Sequence, residues 1–194
     1  MASTSENQWQ KTQPVAPTER SPTKQVGVTD NRCSESSLEY LVTEAIRYYD
    51  TTTNDEHDGV PMNVSLASIG THVGTVLAER LTVDRPPVTD ILDVMKWICK
   101  DLWSALFLKN IDNLRTNHKG TFVLRDTQFR WTKRLAQNLV AGGERATNVD
   151  LAEPFLILPC GIIKGAISAF GFDAAVSADA RALPQCDFTV VLNS

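Results

Sequence analysis

The side chains to test first for chemistry are four cysteines, three histidines and a few paired carboxylates in a chain of 194 residues. Cys33, Cys99, Cys160 and Cys186 form neither a CxxC pair nor the dense framework of a disulfide-stapled scaffold, so they read as thiols of a reducing compartment. Cys160 precedes Gly161 in a helical pattern, but Leu158, Pro159, Ile162 and Ile163 give it an apolar setting that raises a thiol's pKa. It reads as a buried structural thiol, as does Cys99 inside an apolar helix. His57, His72 and His118 fall in a polar loop, between two helix glycines and in a turn, and no two share a metal-ligand spacing. Gly161-Ile162-Ile163-Lys164-Gly165 lacks both phosphate-loop patterns and serves equally for tight helix packing. Asp90 with Asp93, and Asp173 with Asp179, sit at element ends where charge is solvated. No catalytic, cofactor-binding or metal-binding residue is expected, and the chain reads as no enzyme.

One stretch departs from the rest. From Lys109 to Arg134 there are seven basic residues against two acidic, a surplus of five; the whole chain carries −4, which leaves −9 elsewhere. Arg115, Lys119, Arg125, Arg130 and Lys133 mark this basic surface, with Phe122, Phe129 and Trp131 interleaved. Three readings are open: a merely solvated face, a surface for an acidic protein or lipid headgroups, and a single-strand nucleic-acid platform. Phe122 and Leu124 share one strand face and Arg125 takes the other, so the aromatics are more simply the core side of an amphipathic sheet.

The elements that must carry these residues follow from periodicity. Residues 1–35, rich in Ser, Thr, Gln, Pro and charge, cannot bury enough surface to offset ordering entropy, so a disordered tail is expected before a domain at 36–194. Ser36 and Glu39 suggest a capping box for a first helix whose stripe is Leu38, Leu41, Val42, Ala45, Ile46 and Tyr49. A polar loop runs from Asp50 to Pro61. A second helix carries Leu66, Ile69, Val73, Val76, Leu77 and Leu81, with Gly70 and Gly74 four apart for close approach of another backbone. A third, from Thr89 to about Lys109 and capped by Thr89, is apolar around most of its girth and therefore central.

A hairpin at 110–116 and 120–125 follows, then a loop over 136–150 with Ala141-Gly142-Gly143-Glu144. Asp150 to Phe172 has a helical pattern, and Pro159 makes this fourth helix start there or kink there. Terminal strands at 174–179 and 187–192 flank Leu183-Pro184. This order predicts an α+β fold, a twisted antiparallel sheet packed on about four helices. There is no signal-peptide pattern, no lipidation motif, and no apolar run near the roughly 20 residues a spanning helix needs.

Several of these segments resemble one family. Asp93-Val94-Met95-Lys96-Trp97-Ile98-Cys99-Lys100-Asp101-Leu102-Trp103 and Ile111-Asp112-Asn113-Leu114-Arg115-Thr116-Asn117-His118 are similar to the subunit 6 branch of the small core subunits of TRAPP, the transport protein particle, with its Bet-three-like fold. Gly70-Thr71-His72-Val73-Gly74 and Glu79-Arg80-Leu81-Thr82 look like the family's second helix. Cys160-Gly161-Ile162-Ile163-Lys164-Gly165-Ala166 resembles its fourth, and Leu183-Pro184-Gln185-Cys186-Asp187-Phe188 its closing strand. The resemblance covers about residues 65–192.

It implies a non-catalytic adaptor that pairs with another small TRAPP subunit, especially the acylated Bet-three-type subunit, and joins larger subunits in a particle that tethers vesicles. Such particles act in ER-to-Golgi and Golgi transport, and a Rab GTPase is served only through the assembled complex. The implied place is cytoplasmic, peripheral to cis-Golgi and endoplasmic reticulum membranes. The acylated relative carries its modified cysteine just before the third helix; Val83-Asp84-Arg85-Pro86-Pro87-Val88 has none, so no lipid and no other cofactor is expected.

The reading adopted is a partner interface on the first two helices, made by Leu38, Leu41, Val42, Ile46, Leu66, Ile69, Val73 and Leu77, partly turned to the chain's own core. It includes no nucleic-acid partner. The competing class is an apolar small-ligand module of related α+β fold, with a pocket lined by Trp97, Cys99 and Cys160.

Overall fold

The computed structural model describes residues 10–11, 35–52, 61–117, 119–133, 135 and 148–193. Cys33, His57, His118, Arg134, most of the 1–35 tail and the 136–147 part of the expected loop lie outside the described residues.

The elements in chain order are β1 (Gln10–Lys11), α1 (Glu35–Thr52), α2 (Met62–Thr82), α3 (Ile91–Trp97), a π-helical turn (Ile98–Leu102), α4 (Trp103–Phe107), β2 (Asn113–Thr116) and β3 (Thr121–Asp126). After them come a short helix α5, described over residues 130–133, then α6 (Asn148–Ala169), β4 (Ala174–Ala182) and β5 (Gln185–Leu192). The sheet is antiparallel throughout, in the order β1-β2-β3-β5-β4. This is the expected α+β fold.

Alternation builds the sheet's inner face. Phe122 and Leu124 of β3, Cys186, Phe188 and Val190 of β5, and Ala174 and Ala180 of β4 are buried, while the intervening residues are half-buried or exposed. Trp103, Phe107, Phe129, Trp131 and Phe188 interlock beneath it at ring separations of 4.6–6.1 Å, so the aromatics of the basic stretch are core residues. The hairpin turn closes on Asn117, whose side-chain oxygen accepts the N–H groups of Lys119 (2.8 Å) and Thr121 (3.0 Å).

Five local expectations need correction. α1 begins at Glu35, so Ser36 lies inside the first turn instead of capping it. The third helix begins at Ile91 with Asp90 at its cap, and Thr89 plays no capping part. That helix is broken in register by the π turn, which leaves the Cys99 carbonyl to accept the Ile111 N–H at 2.9 Å. α6 does not start at Pro159; of the two alternatives that start is overturned, and the helix runs through Pro154 and Pro159. Each proline removes a helix hydrogen bond at about 3 kcal/mol in an ordinary helix interior. Burial of Leu156, Ile162, Ile163, Ala166 and Ile167 and a very close contact with α2 offset that cost. Finally, the tail is not wholly without structure, because Gln10 and Lys11 pair with Thr116 and Arg115 along the edge of β2.

The α2–α6 contact is the tightest in the molecule. A Cβ added at Gly70 would stand 2.4 Å from the Leu158 carbonyl oxygen, and one at Gly74 only 2.0 Å from that of Ile162. Reciprocally, a Cβ at Gly161 would meet the Ala67 oxygen at 2.5 Å and one at Gly165 the Thr71 oxygen within 2 Å. Both glycine pairs therefore serve close backbone approach, and the Thr75 hydroxyl donates across the seam to the Gly165 carbonyl at 3.2 Å. One window of α6, Leu151–Ala169, is apolar and long enough to cross a membrane by composition, contrary to the shorter run expected, but half of it is buried in this packing.

Candidate partner-binding surface

α2, fixed by its glycines, presents a defined outer face, and α1 lies against it. Of the eight residues read as an interface, Val42 and Leu66 are buried in the chain's own core. Leu38, Ile46, Val73 and Leu77 are half-buried and pack on that core. Leu41 and Ile69 face outward, 66% and 43% exposed.

The structure adds residues outside those eight. Tyr48 (61% exposed) and Val76 (44%), the latter already in the α2 stripe, stand seven positions after Leu41 and Ile69 respectively. Seven residues fall about 20° short of two full helical turns, so each pair shares a face. Tyr40, Val64 and Val83 are exposed as well. That seven-residue recurrence, Ile69-Val76-Val83 on one helix line, was the sequence signal for this outward face.

The basic surface is arranged differently from a bare ribbon. Arg125 donates from Nε to Asp187 at 2.7 Å, and its second nitrogen bonds the other carboxylate oxygen. These hydrogen bonds lead the causes that push the arginine pKa up. Arg130 donates to Glu39 at 2.5 Å, joining α5 to α1. Lys109 bridges Asp112 (3.2 Å) and the fully buried Asp126 (2.6 Å), which also accepts from the Trp103 indole at 2.9 Å. Arg115 is half-buried on β2, and Lys119 and Lys133 are exposed. Two of the five surplus charges, on Arg125 and Arg130, are thus matched by acids from distant parts of the chain, Asp187 and Glu39.

Two depressions flank the Glu39–Arg130 bridge. One of about 490 Å³ is lined by Ser36, Lys109, Arg130 and Lys133 among others. A smaller one of about 200 Å³ has apolar walls from Tyr40, Trp131, Leu135 and Phe155. Trp97, Cys99 and Cys160 line neither; they belong to the core, where Phe170 meets the Trp97 ring edge-on at 5.1 Å. The Trp97 indole N–H is buried there without an acceptor among the described residues.

The described cysteines are not set up as nucleophiles. Burial pushes the Cys99, Cys160 and Cys186 thiols up to about 12, far from the range of a reactive thiolate. His72 is exposed on α2, and no group of three metal-binding side chains occurs among the described residues.

Comparison with known proteins gives a consistent result. The family profile described as transport protein particle (TRAPP) component matches residues 38–193. The chain is 39% identical over 158 residues to trafficking protein particle complex subunit 6b of Danio rerio, covering 81% of this chain and 96% of that one. It is 41% identical over 127 residues to subunit 6B of Homo sapiens, covering 66% and 76%. Among solved structures, subunit 3 of the same kind of complex from Naegleria fowleri, covalently bound to palmitic acid, superposes with a TM-score of 0.59 at 14% identity. That match spans 83% of this chain and 98% of that one, a likeness of fold.

Proposed function

This chain belongs to the TRAPP component family, and from that membership we propose that it is a non-catalytic structural adaptor that pairs with another small TRAPP subunit through α1 and α2. Membership implies a role in TRAPP vesicle trafficking. The finer reading is a heterodimer with the acylated Bet-three-type subunit, built into a larger particle with bigger subunits. That particle would tether vesicles in ER-to-Golgi and Golgi transport and promote nucleotide exchange on a Rab GTPase. The chain would then be cytoplasmic and held at cis-Golgi and endoplasmic reticulum membranes through its assembly.

The observation that carries the pairing is the outward apolar line of Leu41 and Tyr48 on α1 and Ile69 and Val76 on α2, beside half-buried Ile46, Val73 and Leu77. Apolar surface gains about 25 cal/mol per Å² on burial, so a partner covering both helices gains where solvent does not. Size-exclusion chromatography with light scattering, on micromolar mixtures with the acylated small subunit, should give one peak of 1:1 mass. A chain that stays monomeric beside every small subunit would overturn the pairing.

The competing ligand module is supported by the unpartnered Trp97 indole alone. Native mass spectrometry of the full chain checks it: added mass of an acyl chain or cofactor favours it, and the bare polypeptide mass counts against it.

A further inference from the structure

The larger depression lies where α1 meets α5 and the end of α4. Lys109, Arg130 and Lys133 line it together with Ser36, and Glu39 is the one carboxylate lining it among the described residues. Glu39 is taken by Arg130, and Lys109 is drawn toward Asp112 and Asp126. Ser36 thus shares one depression with three cations, two of them already paired with carboxylates and the third, Lys133, exposed on its wall. Ser36 is half-buried, whereas its neighbour Ser37 is exposed.

We propose that Ser36 is a phosphorylation site and that the Lys109–Arg130–Lys133 wall receives its phosphate, pinning the start of α1 to the α4–α5 corner. The sequence favours this serine over its neighbours. Ser36 has Glu35 before it and Glu39 three residues after, the spacing read by acid-directed serine kinases, whereas Ser34 and Ser37 have Ser37 and Tyr40 at that place. In the modifying step the γ-phosphoryl group of a nucleoside triphosphate passes to the Ser36 oxygen. The bond to the departing nucleoside diphosphate breaks, and the hydroxyl proton is released. Ser36 stands in the first turn of α1, and helix ends open at little cost, so a kinase can take the opened turn and find Glu39 with it. The phosphate then brings about −1.5 to −2 charges and several acceptor oxygens, which Arg130 and Lys133 favour in the closed form.

The consequence reaches the partner surface, because α1 also carries Leu41 and Tyr48. A pinned α1 costs less to order on association, so phosphorylation raises partner affinity; this part rests on the reading of α1 as half of the pairing face.

The test uses the free full-length chain, so its failure and that of the pairing are separable. Chain carrying phosphoserine at 36, by genetic incorporation, is compared with chain carrying it at 37, each folded and in urea. By ³¹P titration the second phosphate pKa, ordinarily about 6, should fall by at least about half a unit at 36 in the folded chain and stay put at 37 and in urea. Amide exchange across residues 36–46 should slow about threefold or more. Lys133→Ala, which keeps the Glu39–Arg130 pair, should remove part of both effects. Treating the unmodified chain with an acid-directed kinase and ATP should label Ser36 ahead of Ser34 and Ser37. Equal titration at 36 and 37, unchanged exchange, or label only at other serines overturns the proposal.

Discussion

Between α2 and α6 there is no room for one more carbon atom, whereas α1 rests on the same core through Leu38, Val42 and Ile46 and the Glu39–Arg130 ion pair, leaving Leu41 and Tyr48 mostly in solvent. Backbone-to-backbone contact of the first kind is set once on folding. Burial of the second kind is incomplete within the chain, and a partner can complete it. The difference separates the part of the molecule that holds its shape from the part on which the proposed pairing rests.

The largest effect is expected at the seam. Gly74→Ala or Gly165→Ala forces α2 and α6 apart and should cost about 3 kcal/mol or more, read as a urea midpoint shift or loss of soluble protein. Gly171→Ala is the control. It has φ +83 but nothing within 4 Å of an added Cβ, so only conformational strain of about 1 kcal/mol is expected. If the seam variants cost no more than the control, the packing account fails.

Next comes the open face. Leu41→Asp and Val76→Asp change exposed positions, so the melting temperature of the free chain should stay within about 2 °C. Affinity for the acylated small subunit should drop about thirtyfold or more, as for a central interface position. Equal affinity with intact folding would move the interface elsewhere.

A smaller loss follows Arg130→Ala, which leaves the mostly buried Glu39 carboxylate without its α5 partner. About 1 kcal/mol of stability should go, with faster amide exchange confined to α1 and the α2–α6 seam unaffected.

The last effect is alkaline and is read as thiol reactivity. Cys99, Cys160 and Cys186 lie in the rigid part, with pKa values raised to about 12 by burial. The unfolded thiols ionise near about 8.5, so the folded state keeps protons that the unfolded state releases. Their contribution is full below about pH 8.5 and is lost as pH rises toward 12. Alkylation of their peptides in the folded chain at pH 8.5 should be slow beside the same peptides in urea.

How far the sequence revealed these two regions follows from the range of the forces. Gly70, Gly74, Gly161 and Gly165 were legible because two helix-breaking residues per helix at four-residue spacing need a packing reason, and the seam supplies it. The hairpin and its inward Phe122 and Leu124 were legible from alternation. Pro159 misled because local propensity was weighed without the tertiary contact that outweighs it. The π turn gives no periodic signal, since five residues are too few to shift a stripe.

The basic stretch was legible as a run of charge but not in its pairing. Asp187 lies 62 residues from Arg125 and Glu39 lies 91 from Arg130, so only the fold discloses that these two charges are matched. Tyr48 lay outside the α1 stripe, and Val76, though in the α2 stripe, was left out of the interface set; both are exposed beside the buried positions.

The most direct measurement is amide hydrogen exchange of the chain alone and mixed with the acylated small subunit. The account predicts new protection across Leu41–Tyr48 and Ile69–Val76, with no change at the amides of β3, β4 and β5. Protection confined to the sheet or hairpin, with α1 exchanging as it does in the free chain, would contradict it.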